Sequence, residues 1–317
     1  VPSGRHPSRF LLAALAALLA APLAGAQVSV EGAPPSSSAA NLGSVPTFYL
    51  PPVDGDALRR EYGLRARGAP FRFGIEVHAD MGLDDAGAWD GLPGGDRLWR
   101  LRIESQDAVS LSAIFSRFRL PEGAELYVYD DERAHVLGAY TARNNKEDGR
   151  FAFEPVPARA ITLEYREPAA AEPCELRIER VVHGYRSIES MPESSCHVGI
   201  KCPDGAGWGP HGRAVVRIVN GGSLCTGSFL NTTANNGQRM LMTANHCGSV
   251  DDAVFQFKYH ETTCGGVGAS QSKSVQGSKL LATGAAADYR LVCVKEDIPP
   301  GYGAFFAGWN RSPVAPA

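Results

Sequence analysis

No cysteine precedes position 174, no two cysteines stand in a Cys-x2-Cys pair, neither sign of charge dominates, and no long helical period runs through the 317 residues. Each absence excludes something. With 31 lysines and arginines against 34 aspartates and glutamates, scattered and summing to −3, the chain has neither the basic footprint of a nucleic-acid binder nor a basic membrane surface. The longest apolar run, residues 10–19, is followed by Pro22 and falls short of the roughly 20 residues that span a bilayer, so no stable membrane anchor is expected. Without close cysteine pairs, a zinc site built on the cysteines with His197 or His246 loses its usual spacing, and no metal or cofactor is expected.

What is present begins with an address. Arg5, His6 and Arg9 precede the apolar run, and Ala24-Gly25-Ala26 offers small residues for cleavage, so residues 1–26 read as a secretory signal peptide. Export to the periplasm or the extracellular space permits disulfides, and an odd count of seven cysteines leaves at least one unpaired within the chain.

Residues 27–70 open rich in Ala, Ser, Pro and Gly and read as a flexible lead-in with little structure. From Phe71 the text alternates polar and apolar with the period of half-buried strands at 71–77, 97–104 and 124–129, with further strands at 150–153, 160–166 and 175–182. Turn signals such as Pro121-Glu122-Gly123 separate them, which predicts an antiparallel β-sandwich over 71–190. No catalytic constellation stands out in it, so it reads as a pro-domain or a binding module. A polar stretch at 187–195 marks the boundary, with Arg186 the obvious site for a trypsin-like cut and cleavage nearer Met191 the alternative. Short strands at 214–219, 228–230, 240–243, 253–259 and 289–294 then predict one small β-barrel within 191–317. The fold class is all-β throughout.

Chemistry concentrates at two residues. A histidine suits proton transfer near neutral pH but needs a partner to hold its tautomer, and an aspartate is the usual one. His246 lies in Met242-Thr243-Ala244-Asn245-His246-Cys247, downstream of Cys225-Thr226-Gly227-Ser228; Asp288 follows in Ala287-Asp288-Tyr289 at the opening of an alternating strand. Taken singly, His246 would pass as a structural or solvated histidine and Asp288 as a surface charge. Their flanks carry the functional reading.

Those segments, with Cys196, Cys202, Thr263-Cys264 and Phe306-Ala307-Gly308-Trp309-Asn310-Arg311, resemble the bacterial lysyl endopeptidases, trypsin-fold serine proteases made as preproproteins. The resemblance implies that His246 is the general base, that Asp288 orients it, and that disulfides join Cys202 to Cys264 and Cys225 to Cys247. It also implies a partner for Cys196 in a second barrel, an intramolecular pro-domain, and a protein or peptide substrate cut after lysine or arginine. Arg217-Ile218-Val219-Asn220-Gly221 resembles an activation cut but lies too close to His246, so it reads as the first barrel strand. Cys293, inside a strand, reads as a small buried thiol.

Acyl transfer also needs a nucleophile on a Gly-x-Ser-Gly loop, and none follows Asp288; Ser312 is the single serine there. The expectation is therefore a protease precursor truncated before its catalytic serine, second barrel missing and inactive as given. The alternative is a secreted binding module for carbohydrate or protein with a vestigial protease half.

Overall fold

The computed structural model of the protein describes residues 29–65, 68–188, 198–266, 273–310 and 312. Residues 1–26, read above as a signal peptide, lie outside the described residues, as do Cys196 and His197.

In chain order the elements are β1 (Thr47–Tyr49), helix α1 (Gly55–Gly63), β2 (Phe71–Arg72), β3 (Gly74–Gly82), β4 (Ala88–Gly91), β5 (Arg97–Glu104), β6 (Ser110–Arg119), β7 (Glu125–Asp130), β8 (Val136–Tyr140), β9 (Phe151–Ala152), β10 (Ala160–Glu167) and β11 (Glu175–Gly184). After the boundary come β12 (Val215–Asn220), β13 (Ser223–Leu230), β14 (Met240–Thr243), β15 (Val254–Phe257), β16 (Lys273–Gln276), β17 (Ser278–Gly284) and β18 (Tyr289–Val294). The protein is all-β, as the alternating text predicts.

The first unit is a sandwich. One sheet runs β1-β5-β10-β7-β8 with β4 also on β5, and the other runs β3-β11-β6-β9. Leu101, Ile103, Leu126, Val128 and Leu163 of the first sheet meet Ala113, Phe115, Phe118, Phe151 and Val181 of the second in one apolar core. Inward residues alternate with outward ones along each strand, which is how two sheets bury one face apiece. The longest pairing partner of β11, strand β6, is invisible to a search for alternation. Its residues Ser110 to Phe115 are all buried, because Leu111, Ala113 and Phe115 face the sandwich core while Ile114 packs in a second cluster with Val219, Leu224 and Val254 of the next unit.

Within the lead-in expected over 27–70 to be flexible, the described residues 29–65 carry a strand, a helix and long-range hydrogen bonds. Val30 and Ala139 exchange both backbone hydrogen bonds, Ser36 donates its backbone N–H to the buried Glu164 at 2.8 Å, and β1 adds in parallel to the edge of β5. A buried carboxylate needs donors and an open sheet edge needs a strand, and this polar text supplies both.

The second unit is one sheet of order β16-β15-β12-β13-β14-β18-β17, curled around Val216, Ile218, Phe229, Leu241, Phe255, Phe257, Val292 and Val294. Phe229 and Phe257 stack across its centre at 5.3 Å. The Arg217–Gly221 stretch falls in β12 and the hairpin after it, in the position of a first barrel strand. Strands β16 and β17 were not foreseen: they meet at Gly277, whose φ of +83° suits glycine, and β17 is an edge strand with Leu280 and Leu281 exposed.

Sandwich and barrel share more than a linker. Strand β2, expected as sandwich, pairs with β13 of the barrel sheet, Phe71 opposite Leu224. The Lys146 ammonium meets the Glu296 carboxylate at 3.0 Å with side chains 5% and 6% exposed, Gln256 donates to Glu154 at 2.8 Å, and Arg150 pairs with Asp252 at 2.6 Å.

Candidate active site

Adjacent antiparallel strands bring distant residues to one place. Strand β14 pairs with β18 in the register Thr243 opposite Arg290, so the chain leaving β14 passes beside the chain entering β18. His246 lies three residues past the end of the first, and Asp288 one residue before the start of the second. Their separation of 42 positions is closed by sheet pairing alone.

Local chemistry then sets the two side chains. After β14, Asn245–Cys247 form a single 3-10 turn that ends at Gly248, with φ of +75°. Three anchors hold this turn. Cys247 is bonded to Cys225, with Cα atoms 6.1 Å apart; the Thr243 hydroxyl donates to the Thr226 carbonyl at 2.8 Å; and the Thr283 hydroxyl donates to the Asn245 side-chain oxygen at 2.6 Å. Opposite, Asp288 sits in the left-handed region at φ +48°, which aspartate tolerates better than most residues. Its carbonyl accepts from the Asn245 N–H at 3.1 Å.

One carboxylate bridges the turn. Asp288 Oδ1 accepts from the His246 backbone N–H at 2.8 Å, and Oδ2 lies 2.6 Å from His246 Nδ1. An ionised carboxylate can only accept, so Nδ1 carries a proton, and in the neutral imidazole it is Nε2 that has the lone pair. The hydrogen bond from the His246 side chain, followed by that from its backbone, holds the Asp288 carboxyl below its ordinary value. Both side chains remain about half exposed, 47% and 49%, and among the described residues no hydroxyl is bonded to the ring. What the pair can do is accept a proton at Nε2 while the charge that develops on the ring faces a carboxylate.

The cysteines sort as follows. Cys202 is bonded to Cys264, with Cα atoms 4.5 Å apart. Cys174 is half-buried against the sandwich core, and burial pushes its thiol up to about 12, which leaves it protonated and unreactive at neutral pH. Cys293 corrects the expectation of a buried thiol: on β18 it is Val292 and Val294 that enter the core, so Cys293 faces the other way and is half-buried. Cys225, His246 and Cys247 bring ligand atoms within 4.8 Å of one another, yet both sulfurs are consumed by the disulfide and no thiolate is left for a metal.

Sequence reasoning missed the supports, Thr243, Thr283 and the left-handed backbone at Asp288. Only a Thr or Asp near a strand end signals them, and that signal is common. Among the described residues, the bonds and ion pairs from the sandwich to the barrel include those to Gln256, Asp252, Glu296, Lys295, Gly222, Arg217 and Tyr259, besides the pairing of β2 with β13, and His246 is not one of their partners. Among the sandwich's described residues, the exposed large apolar side chains are Val30, Tyr49, Leu64 and Val109, of which Tyr49 is aromatic.

Comparison with known proteins finds similarity over the unit that carries this geometry. The family model described as Lysyl endopeptidase, C-terminal domain, matches residues 192–317. The chain is also 26% identical over 295 residues to the lysyl endopeptidase of Pseudomonas aeruginosa, an alignment that covers 79% of this chain and 62% of the relative. The chain thus spans less than two thirds of the length of that curated relative, and it is the second unit that is similar to the lysyl endopeptidase C-terminal domain.

Proposed function

We propose that this chain is the precursor of a secreted serine endopeptidase acting on proteins or peptides after lysine or arginine, with His246 as general base and Asp288 as the carboxylate that orients it. Residues 1–26 serve as the signal peptide, 71–190 as a pro-domain, and 191–317 as part of the peptidase domain. The observation that carries the reading is the two-point hold of Asp288 on His246, through the backbone N–H and through Nδ1. A surface ion pair needs only one such contact; a base that must present Nε2 in a fixed direction needs the ring and its peptide held together. The lysine preference is suggested by the name of the Pseudomonas relative, and secretion by the signal-like residues 1–26.

The 317 residues contain no Gly-x-Ser-Gly segment after Asp288, so we propose that they do not hydrolyse peptides by themselves. With a serine placed against Nε2, the hydroxyl proton would pass to the ring as its oxygen attacks a peptide carbonyl. A fluorophosphonate probe tests the assignment. The 317-residue chain should remain unlabelled, whereas the chain joined to a C-terminal barrel bearing a Gly-x-Ser-Gly loop should be labelled, and His246→Ala should abolish that labelling. Labelling of the chain by itself, or labelling indifferent to His246→Ala, overturns the reading.

A further inference from the structure

Arg186 is spelled as a processing site, but its surroundings are those of a fastener. The guanidinium lies over the ring of Tyr62 at 4.3 Å, with the rings of Tyr185 at 5.5 Å and Phe71 at 5.8 Å around it. Tyr62 and Phe71 themselves meet edge to face at 5.9 Å. Three separate pieces of chain thereby converge on one cation: α1 through Tyr62, β2 through Phe71, and the end of the sandwich through Tyr185.

The backbone around it is equally occupied. The N–H groups of Tyr185 and Arg186 both donate to the Phe73 carbonyl, at 2.8 and 3.0 Å. The Tyr185 carbonyl accepts from Arg59 at 2.6 Å, and the Arg186 guanidinium reaches the Arg59 carbonyl at 3.4 Å. Two residues on, the Ile188 carbonyl takes donors from the barrel, Arg217 at 3.2 Å and the Tyr259 hydroxyl at 3.1 Å. A trypsin-like enzyme must draw its substrate out as an extended strand with the arginine side chain sunk in its own pocket. Susceptibility is therefore decided by how the affected backbone and side chain are held, not by sequence spelling. Here both are engaged on either side of the bond.

We infer that Arg186 is a clasp: its guanidinium, caged by Tyr62, Phe71 and Tyr185, ties the last strand of the sandwich to α1 and β2, and so to the start of β13 in the barrel sheet, and it withholds the Arg186–Ser187 bond from trypsin-like processing. The cage is an attractive setting for a cation because each ring offers a negative face to a charge already partly stripped of water. Because β2 is itself a strand of the barrel sheet, the clasp joins the two units at the place where the chain passes between them. This inference is independent of the function proposed above; it concerns access to one bond.

Limited digestion of the native full chain with trypsin, followed by mass mapping of the fragments, is the test. Native protein should yield no fragment ending at Arg186 while other arginine and lysine bonds are cut, and protein unfolded in urea should be cut after Arg186 as readily as elsewhere. Tyr62→Ala, on a half-buried helix face outside the core clusters, should speed the native cut at Arg186 at least tenfold, with Tyr62→Phe restoring protection. Phe71→Ala provides a second opening of the cage from the β2 side. Prompt cleavage of the native chain after Arg186, or unchanged resistance in Tyr62→Ala, overturns the clasp.

Discussion

At the scale of single residues, the candidate site is a matter of one carboxylate with two acceptor oxygens and two donors to satisfy. Asp288→Asn keeps a side chain that tolerates φ +48°, but an amide presents a donor as well as an acceptor and cannot hold Nδ1–H as a carboxylate does. In a protein carrying the nucleophile, its turnover is expected to fall about 10⁴-fold, as loss of the orienting charge does in comparable triads. In the present chain, the strongly deshielded Nδ1 proton of His246 should disappear from the NMR spectrum of Asp288→Asn. The pairing of His246 with Asp288 was legible because a histidine beside a cysteine and an aspartate opening a strand are uncommon texts. Thr243, Thr283 and the turn geometry were not legible, since short polar residues near strand ends have many ordinary uses.

At the scale of elements, the turn that carries His246 is tied at one end by β14 and at the other by the Cys225–Cys247 disulfide. Cys225→Ser with Cys247→Ser opens a loop of sequence separation 22 and is expected to cost about 3 kcal/mol in the chain-entropy account. Opening Cys202–Cys264, with separation 62, should cost more, about 4 kcal/mol on the same account. Urea unfolding of the two double variants checks both the size and the order; a larger loss from the shorter loop would count against entropy as the cause. Strand β6 shows why some elements escape a pattern search. Alternation reports one wet face, and a strand covered by a core on one side and a docked barrel on the other has none.

At the scale of the whole molecule, sandwich and barrel are joined by a buried charge pair as well as by apolar contact. Burial lowers the Lys146 ammonium from its ordinary value, against the pull of Glu296, and Glu296 also accepts from the Gln276 N–H at 2.8 Å. Removing one member leaves the other charge uncompensated, so Lys146→Met is expected to destabilise by about 3–5 kcal/mol, and Lys146→Met with Glu296→Leu by much less; a thermal or urea series on the two variants decides. Acid should act elsewhere first. His183 has no exposed surface, its Nε2 finds no partner, its Nδ1 meets the Ser105 hydroxyl at 2.7 Å, and burial depresses its pKa. A depressed value means that the unfolded chain binds a proton the folded chain refuses, so stability is full above the ordinary histidine value of about 6.5 and falls as pH drops below it. Unfolding measured from pH 7.5 to 5 should show this slope, and His183→Gln should flatten it. From the sequence by itself came most of the strand text and the pairing of His246 with Asp288, because these are written in neighbouring residues and their period. Only the tertiary structure decided that residues 29–49 are bound to the sandwich, that β2 belongs to the barrel sheet and that Arg186 is enclosed. Those outcomes depend on which surfaces meet across more than a hundred positions, and local chemistry does not encode that meeting.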